Sequence, residues 1–162
     1  MLKRDLIAEL EALYRVRYRQ FVRVATAIAG AERAHDVVQE AFARAIRSSG
    51  AYRGEGTVEA WLWQVLLNAA RAARSSPAAA PLFEAEELTV AGNGQPSDEF
   101  GIRAWLVSLP ERQRLAVSLR YYADLDYRAI ASVLGVEVGT VSATLSAAHS
   151  SLRRSLKEVS RD

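Results

Sequence analysis

The sequence contains no cysteine, which excludes disulfides, thiolate catalysis, iron–sulfur clusters and cysteine-based zinc sites. No apolar run approaches the ~20 residues that a bilayer-spanning helix requires. The basic pair Lys3-Arg4 is followed by no apolar stretch, because Glu9 and Glu11 interrupt the pattern. Neither membrane insertion nor a signal peptide is therefore expected, and the cytoplasm is the expected location. Histidine occurs only at 35 and 149, with no serine, cysteine or glutamate at catalytic spacing, and no phosphate loop or metal-ligand cluster accompanies either. An enzyme, a cofactor, a metal site and a small-molecule substrate are all unexpected.

What is present is apolar and unevenly charged. Half of the 162 residues are hydrophobic, enough for a packed core. Residues 1–74 carry 12 Lys/Arg against 8 Asp/Glu (+4), residues 75–100 carry 5 acids and no base (−5), and residues 101–162 carry 9 bases against 6 acids (+3). Two basic ends flank an acidic strip, a distribution that suits polyanion binding by two modules. The strip holds Pro77, Pro81 and Pro96, three of the four prolines, together with Gly92 and Gly94. It reads as a flexible linker, implying variable spacing between the parts it joins.

On either side the apolar residues recur at helical spacing. Leu6, Leu10, Leu13, Tyr14, Phe21, Val24 and Ile28 form one stripe, stopped by Gly30. A second runs through Val37, Val38, Ala41, Phe42, Ala45 and Ile46, and a third through Trp61, Leu62, Val65, Leu66, Ala69 and Ala70. Trp61 and Trp63 lie two positions apart and cannot share a helical face, so Trp61 is expected in the core and Trp63 nearer the surface. Beyond the linker, Ile102, Trp105, Leu106 and Leu109 predict a helix halted at Pro110, and another follows from Glu111 to Tyr122. No segment alternates with period two over strand length. The fold class expected is all-α, as two helical domains, 1–74 and 101–162, joined by a linker over 75–100.

The most specific signal is near the end. Asp126 can cap a short helix over Tyr127–Leu134, Gly135 ends it, and a second helix starts near Val138 with the stripe Val138, Val141, Leu145, Ala148, Leu152. Ala131 lies four residues before the glycine and Val141 six after it. A small residue at a tight helix crossing, a glycine free to turn left-handed and a β-branched core residue make a helix-turn-helix. In such a unit the second helix enters the major groove. A helical hairpin without a ligand would share part of this pattern.

The run Leu109-Pro110-Glu111-Arg112-Gln113-Arg114, then Leu119-Arg120-Tyr121-Tyr122, then Ile130 through Gly135-Val136-Glu137-Val138-Gly139-Thr140-Val141, resembles the −35-binding domain of sigma-70-type factors, and Leu-Gly-Val-x-Val-Gly-Thr-Val is typical of the extracytoplasmic-function group. Asp36-Val37-Val38-Gln39-Glu40-Ala41-Phe42 resembles the segment of that family which binds the polymerase clamp. Tyr52-Arg53-Gly54-Glu55-Gly56 through Trp61-Leu62, with Asn68, resembles the segment that melts and reads the −10 element.

The resemblance implies a factor that binds core RNA polymerase and directs promoter recognition and melting. It also implies promoter DNA and an anti-sigma factor as partners. Asp36, Gln39 and Glu40 would meet polymerase. Tyr52, Arg53, Gly54, Glu55, Asn68, Arg71 and Arg74 would meet the −10 DNA, and Arg128, Thr140, Ser142, Ala143, Ser146 and His149 the −35 DNA. A base extracted from the stack costs a few kcal/mol, which a pocket must return by stacking and edge hydrogen bonds.

The sequence departs from the family in its recognition helix. Members often carry Lys or Arg where this chain has Ser142, Thr144, Ala147 and His149, so bidentate arginine-to-guanine readout is absent between Val138 and His149. More weight then falls on shape and on phosphate contacts from Arg128, Arg153 and Arg154. At His35 members commonly have an acid, which weakens the negative patch beside Asp36. A stand-alone helix-turn-helix regulator is the competing reading, and it leaves Asp36, Gln39, Glu40 and the Tyr52–Trp61 loop without a role.

Overall fold

The computed structural model describes residues 3–75 and 96–161. Most of the acidic Pro/Gly stretch read as a linker lies outside the described residues. Among those described there is no strand, and the elements are α1 Lys3–Ala29, α2 Ala31–Arg47, a 3-10 turn Ser49–Ala51, α3 Val58–Arg74, α4 Pro96–Ser108, α5 Glu111–Tyr121, α6 Tyr127–Leu134 and α7 Val138–Val159. Helix α4 thus begins at Pro96, inside the stretch assigned to the linker; proline at a helix start loses no hydrogen bond.

Helices α1, α2 and α3 pack as a three-helix module. The chain turns from α1 into α2 at Gly30, whose φ of +94° few L-residues adopt. Its core is aromatic at the centre. Phe21 lies 4.5 Å from Trp63 and 5.4 Å, edge-on, from Phe42, and Tyr14 meets Phe42 edge-on at 4.9 Å.

Here the expectation for the tryptophans is reversed. Trp63 is fully buried and Trp61 only partly so. The buried set on α3 is Val58, Leu62, Trp63, Leu66, Leu67, Ala69 and Ala70. Its centre is shifted by almost one residue from the stripe predicted, because Trp63 faces Phe21 and Leu67 faces the second module. The predicted stripe residue Val65 is only half-buried.

Helices α4 to α7 form the second module. Trp105, Leu106 and Leu109 are buried as expected, whereas Ile102 is exposed. The helix-turn-helix has the predicted register. Asp126 Oδ1 accepts from the backbone N–H of Ala129 at 2.8 Å, Gly135 has φ +66° and ψ 38°, and Val141, Leu145 and Ala148 are buried. Val138 begins the helix but stays exposed.

A buried arginine completes this core. Arg114 donates to the carbonyls of Leu106 (3.3 Å), Val107 (2.8 Å) and Leu109 (3.0 Å), satisfying acceptors left open where α4 ends. Burial pulls its pKa below the ordinary arginine value, with Arg74 adding repulsion and Glu111 opposing it. Nη1 finds no hydrogen-bond partner among the described residues.

The two modules touch. Helices α1 and α3 lie against α5 and α6. Arg17 Nη1 donates to Ala123 O at 3.3 Å, Gln64 Nε2 donates to Ser132 O at 2.8 Å, and Arg71 grips Glu111 through Nε (3.0 Å) and Nη2 (3.4 Å). The two modules are docked in this structure, an arrangement that composition does not report, because it describes the tether and not the surfaces at its ends.

Candidate nucleic-acid and protein interfaces

On α2 the apolar and polar residues separate cleanly. Val37, Val38, Ala41 and Phe42 are buried, while Asp36, Gln39 and Glu40 are exposed on the opposite side. Glu40 is already engaged within its own helix, Oε1 accepting from Arg44 Nε at 2.7 Å and Arg47 Nη2 at 3.4 Å. The hydrogen bond from Arg44 lowers its carboxyl pKa below the ordinary glutamate value. The patch is therefore anionic but partly self-neutralised. His35 at its edge meets Tyr18 Oη through Nδ1 at 2.7 Å, a cross-tie between α2 and α1.

The loop before α3 is closed by its own residues. Tyr52 Oη donates to Gly56 O at 2.9 Å, and Gly54 and Gly56 take φ of +76° and +74°. Thr57 Oγ1 accepts from the N–H of Ala60 at 3.0 Å and so starts the helix. The result is a tight exposed tip, Arg53-Gly54-Glu55, beside a half-buried aromatic pair whose rings, Tyr52 and Trp61, lie 5.5 Å apart.

On α3, at 100° per residue, Trp61, Gln64, Asn68 and Arg71 fall on one face, opposite the core stripe. That face belongs to a surface of which only Asn68 and Arg71 were predicted. Trp61, expected in the core, and Gln64 also belong to it, and the spacing 61, 64, 68, 71 is the sequence signal for that face. Arg74 is half-buried toward the second module, near Arg114. Asn68 and Arg71 do not stand open to solvent on all sides. They line a cleft of about 390 Å³ whose other wall includes Glu111, Leu115 and Gly135.

In the second module Ser142, Ala143 and Ser146 are exposed along α7, Thr140 is half-buried at its start, and Arg128 is exposed on the first turn of α6. Thr144 donates its hydroxyl to the backbone carbonyl of Thr140 at 2.7 Å. His149 is turned sideways: its Nε2 lies 2.7 Å from Tyr121 Oη, tying α7 to α5. No lysine or arginine stands among the exposed side chains from Val138 to Ala147.

The structure thus joins a helical module, with a polar outward face on α2 and an aromatic pair beside the α3 loop, to a helix-turn-helix. Residues 13–76 match the family Sigma-70 region 2, and residues 101–157 match Sigma-70, region 4. The chain is 30% identical over 149 residues to the RNA polymerase sigma-H factor of Pseudomonas aeruginosa, covering 82% of this chain and 77% of that protein. It is 32% identical over 123 residues to the ECF RNA polymerase sigma-E factor of Escherichia coli K12, covering 65% of this chain and 64% of that one. The chain belongs to the sigma-70 family of RNA polymerase sigma factors.

Among solved structures, CnrH in complex with the cytosolic domain of CnrY aligns with a TM-score of 0.72 at 20% identity, over 96% of this chain and 97% of that one. The sigma factor RpoE of Bartonella quintana, crystallised with the anti-sigma factor NepR, aligns with a TM-score of 0.65 at 23% identity, over 96% of each chain. At these identities the likeness establishes the shared fold.

Proposed function

We propose that this sigma factor docks on core RNA polymerase through the Asp36–Gln39–Glu40 face of α2 and carries it to promoters by two DNA-facing surfaces. The first is the loop Tyr52-Arg53-Gly54-Glu55 with Asn68, Arg71 and Arg74, for the melted −10 element. The second is Arg128 with Thr140, Ser142, Ala143, Ser146 and the edge residue His149, for the −35 duplex. The observation that carries this reading is the segregation on α2: three polar residues stand outward, directly backed by Val37, Val38 and Phe42 in the core. A polar face so braced is held in fixed orientation for a rigid partner helix. The Tyr52/Trp61 pair supplies an aromatic surface for an unstacked base, worth ~1–3 kcal/mol per stacked base.

The family acts in transcription initiation without enzymatic activity, and this chain is proposed to have none of its own. No single helix among the described residues is long and apolar enough to cross a membrane. A cytoplasmic location follows from the proposed partner. An anti-sigma protein is a further proposed partner, as in the structural neighbour RpoE, which was crystallised with the anti-sigma factor NepR.

The test is capture of purified core RNA polymerase by the full chain, followed by run-off transcription on a genomic fragment library. Discrete new start sites are expected. The double variant Gln39→Ala/Glu40→Ala is expected to lose core binding with its melting temperature unchanged. Core capture equal to the parent's would remove the α2 assignment, and failure of the parent itself to bind core would leave the stand-alone DNA-binding reading.

A further inference from the structure

Helices α1 and α3 meet in two rungs. The residues of the rungs stand four apart on each helix, Arg17 and Phe21 on α1, Glu59 and Trp63 on α3. Phe21 packs on Trp63 at 4.5 Å, and Arg17 Nε lies 3.3 Å from Glu59 Oε1. The rungs are themselves joined, because the indole N–H of Trp63 donates to the same Glu59 oxygen at 3.5 Å. The Arg17–Glu59 rung is the one nearer the start of α3, where the loop from Tyr52 ends in the Thr57 cap.

The same guanidinium reaches the second module. Arg17 Nη1 donates to Ala123 O at 3.3 Å, in the turn between α5 and α6. Ala123 is buried, its N–H donates to Ser118 O, and the next residue, Asp124, holds a left-handed φ of 56°. An ion pair that only held α1 against α3 would need no more than a charge at 17. An acid in the first turn of α3 would also suit the helix dipole without any partner. Neither calls for a third contact, which uses donors at different corners of arginine's rigid fork. Nor is this a surface pair. The two side chains are only 28% and 26% exposed, so removing one leaves the other's charge largely out of water.

We propose that Arg17 is a positioning residue for the base-stacking loop, acting through Glu59, and that its bond to Ala123 ties its setting to the second module. The inference rests on the reading of Tyr52 and Trp61 as the surface for an unstacked base. Trp61 stands two residues beyond Glu59, and Tyr52 stands before the Thr57 cap. The 5.5 Å between their rings therefore depends on how the first turn of α3 is held. While the modules are docked, Arg17 divides its donors between Glu59 and Ala123. Once the second module withdraws, the fork can close on the Glu59 carboxylate with two parallel bonds. The start of α3 is then gripped more firmly, and the stacking surface is best formed when each module sits on its own DNA site. Arg17 itself touches no base.

The experiment uses holoenzyme reconstituted from core RNA polymerase and the full chain, with a single-stranded −10 oligonucleotide from a promoter that run-off transcription defines. Fluorescence anisotropy reads affinity as each base in turn is replaced by an abasic site. At the stacked position, loss of the base is expected to cost the parent about tenfold. Arg17→Gln is expected to bind the intact strand about tenfold more weakly, and to lose less than about twofold further at the abasic site, because the stacking is already gone. Glu59→Gln is expected to match it, while Arg17→Lys, which keeps a charge for Glu59, recovers most of the sensitivity to the base. Arg15→Gln removes the same charge from an exposed pair on α1 and is expected to behave as the parent. Full base sensitivity in Arg17→Gln or Glu59→Gln would overturn the proposal, whatever their overall affinity. Arg17→Lys as insensitive as Arg17→Gln would overturn the route through Glu59. The free parent chain is expected to lose less at the abasic site than the holoenzyme, and an equal loss would overturn the share taken by Ala123. A parent that captures no core, or that is insensitive to every base, would instead remove the reading on which the inference rests.

Discussion

The two modules solve the same problem, a small helical core under a polar working face, with different materials. The first is built on bulk: Phe21, Phe42 and Trp63 interlock at its centre, with Leu62 and Leu66 around them. The second is built on backbone geometry, where Asp126 opens α6, Gly135 closes it in a left-handed turn, and the small Ala131 and Ala148 sit in the core. Their working faces also differ in exposure. The α3 stripe Gln64-Asn68-Arg71 looks into the cleft between the modules, where Gln64 and Arg71 already hold partners. The outer face of α7 looks away from the cleft. In the docked arrangement the surface proposed for the −35 duplex is exposed, while on the face proposed for the melted −10 strand Gln64 and Arg71 are held by Ser132 and Glu111.

The sharpest way to break the first half of that comparison is Trp63→Ala. Removing a fully buried indole from an aromatic core costs about 3–5 kcal/mol. Hydrogen exchange is expected to show protection lost across α1, α2 and α3 with α5–α7 retained; equal loss in both modules would mean that they fold as one unit.

The corresponding lesion in the second module is Gly135→Val. The space around Gly135 is open, with no atom within 4 Å of an added Cβ, so the cost arises from φ +66° alone, about 1–3 kcal/mol. Gly135→Asn, which tolerates that conformation, is expected to recover most of the loss in melting temperature. Equal destabilisation by the two would refer the cost to burial and not to the turn.

The smallest effect is expected from Glu111→Gln. The ion pair with Arg71 is about half exposed on each side, and such pairs contribute under about 1 kcal/mol. The melting temperature should stay put, while the radius of gyration at low salt increases as docking weakens. A radius equal to the parent's would leave docking to Gln64, Arg17 and the apolar contacts.

Much of this was legible in the residues. The helix-turn-helix register followed from Asp126, Gly135 and Val141, because a cap, a left-handed glycine and a β-branched core residue act over a few bonds. The polar face of α2 followed from a strict division of apolar and polar positions. The tryptophans did not follow. Which of Trp61 and Trp63 is buried depends on the rotation of α3 about its axis, and that is set by Phe21 on one side and by packing against α6 on the other. Arg114 reads as one more surface cation until the carbonyls at the end of α4 are placed around its guanidinium. Trp61 and Gln64 form a helical stripe with Asn68 and Arg71 in the sequence, but that stripe is distinguishable from the core only once the rotation of α3 is fixed.

The sequence by itself determined the helices, the turn and the family, since these depend on short-range periodicity and on motifs a few residues long. Tertiary structure alone decided which face of α3 is buried, that Arg71 meets Glu111 across 40 positions, and that the cations of α7 share a groove with the start of α5. Those are contacts between residues distant in the chain. Their partners are chosen by how whole helices rotate and pack, a choice no local pattern encodes.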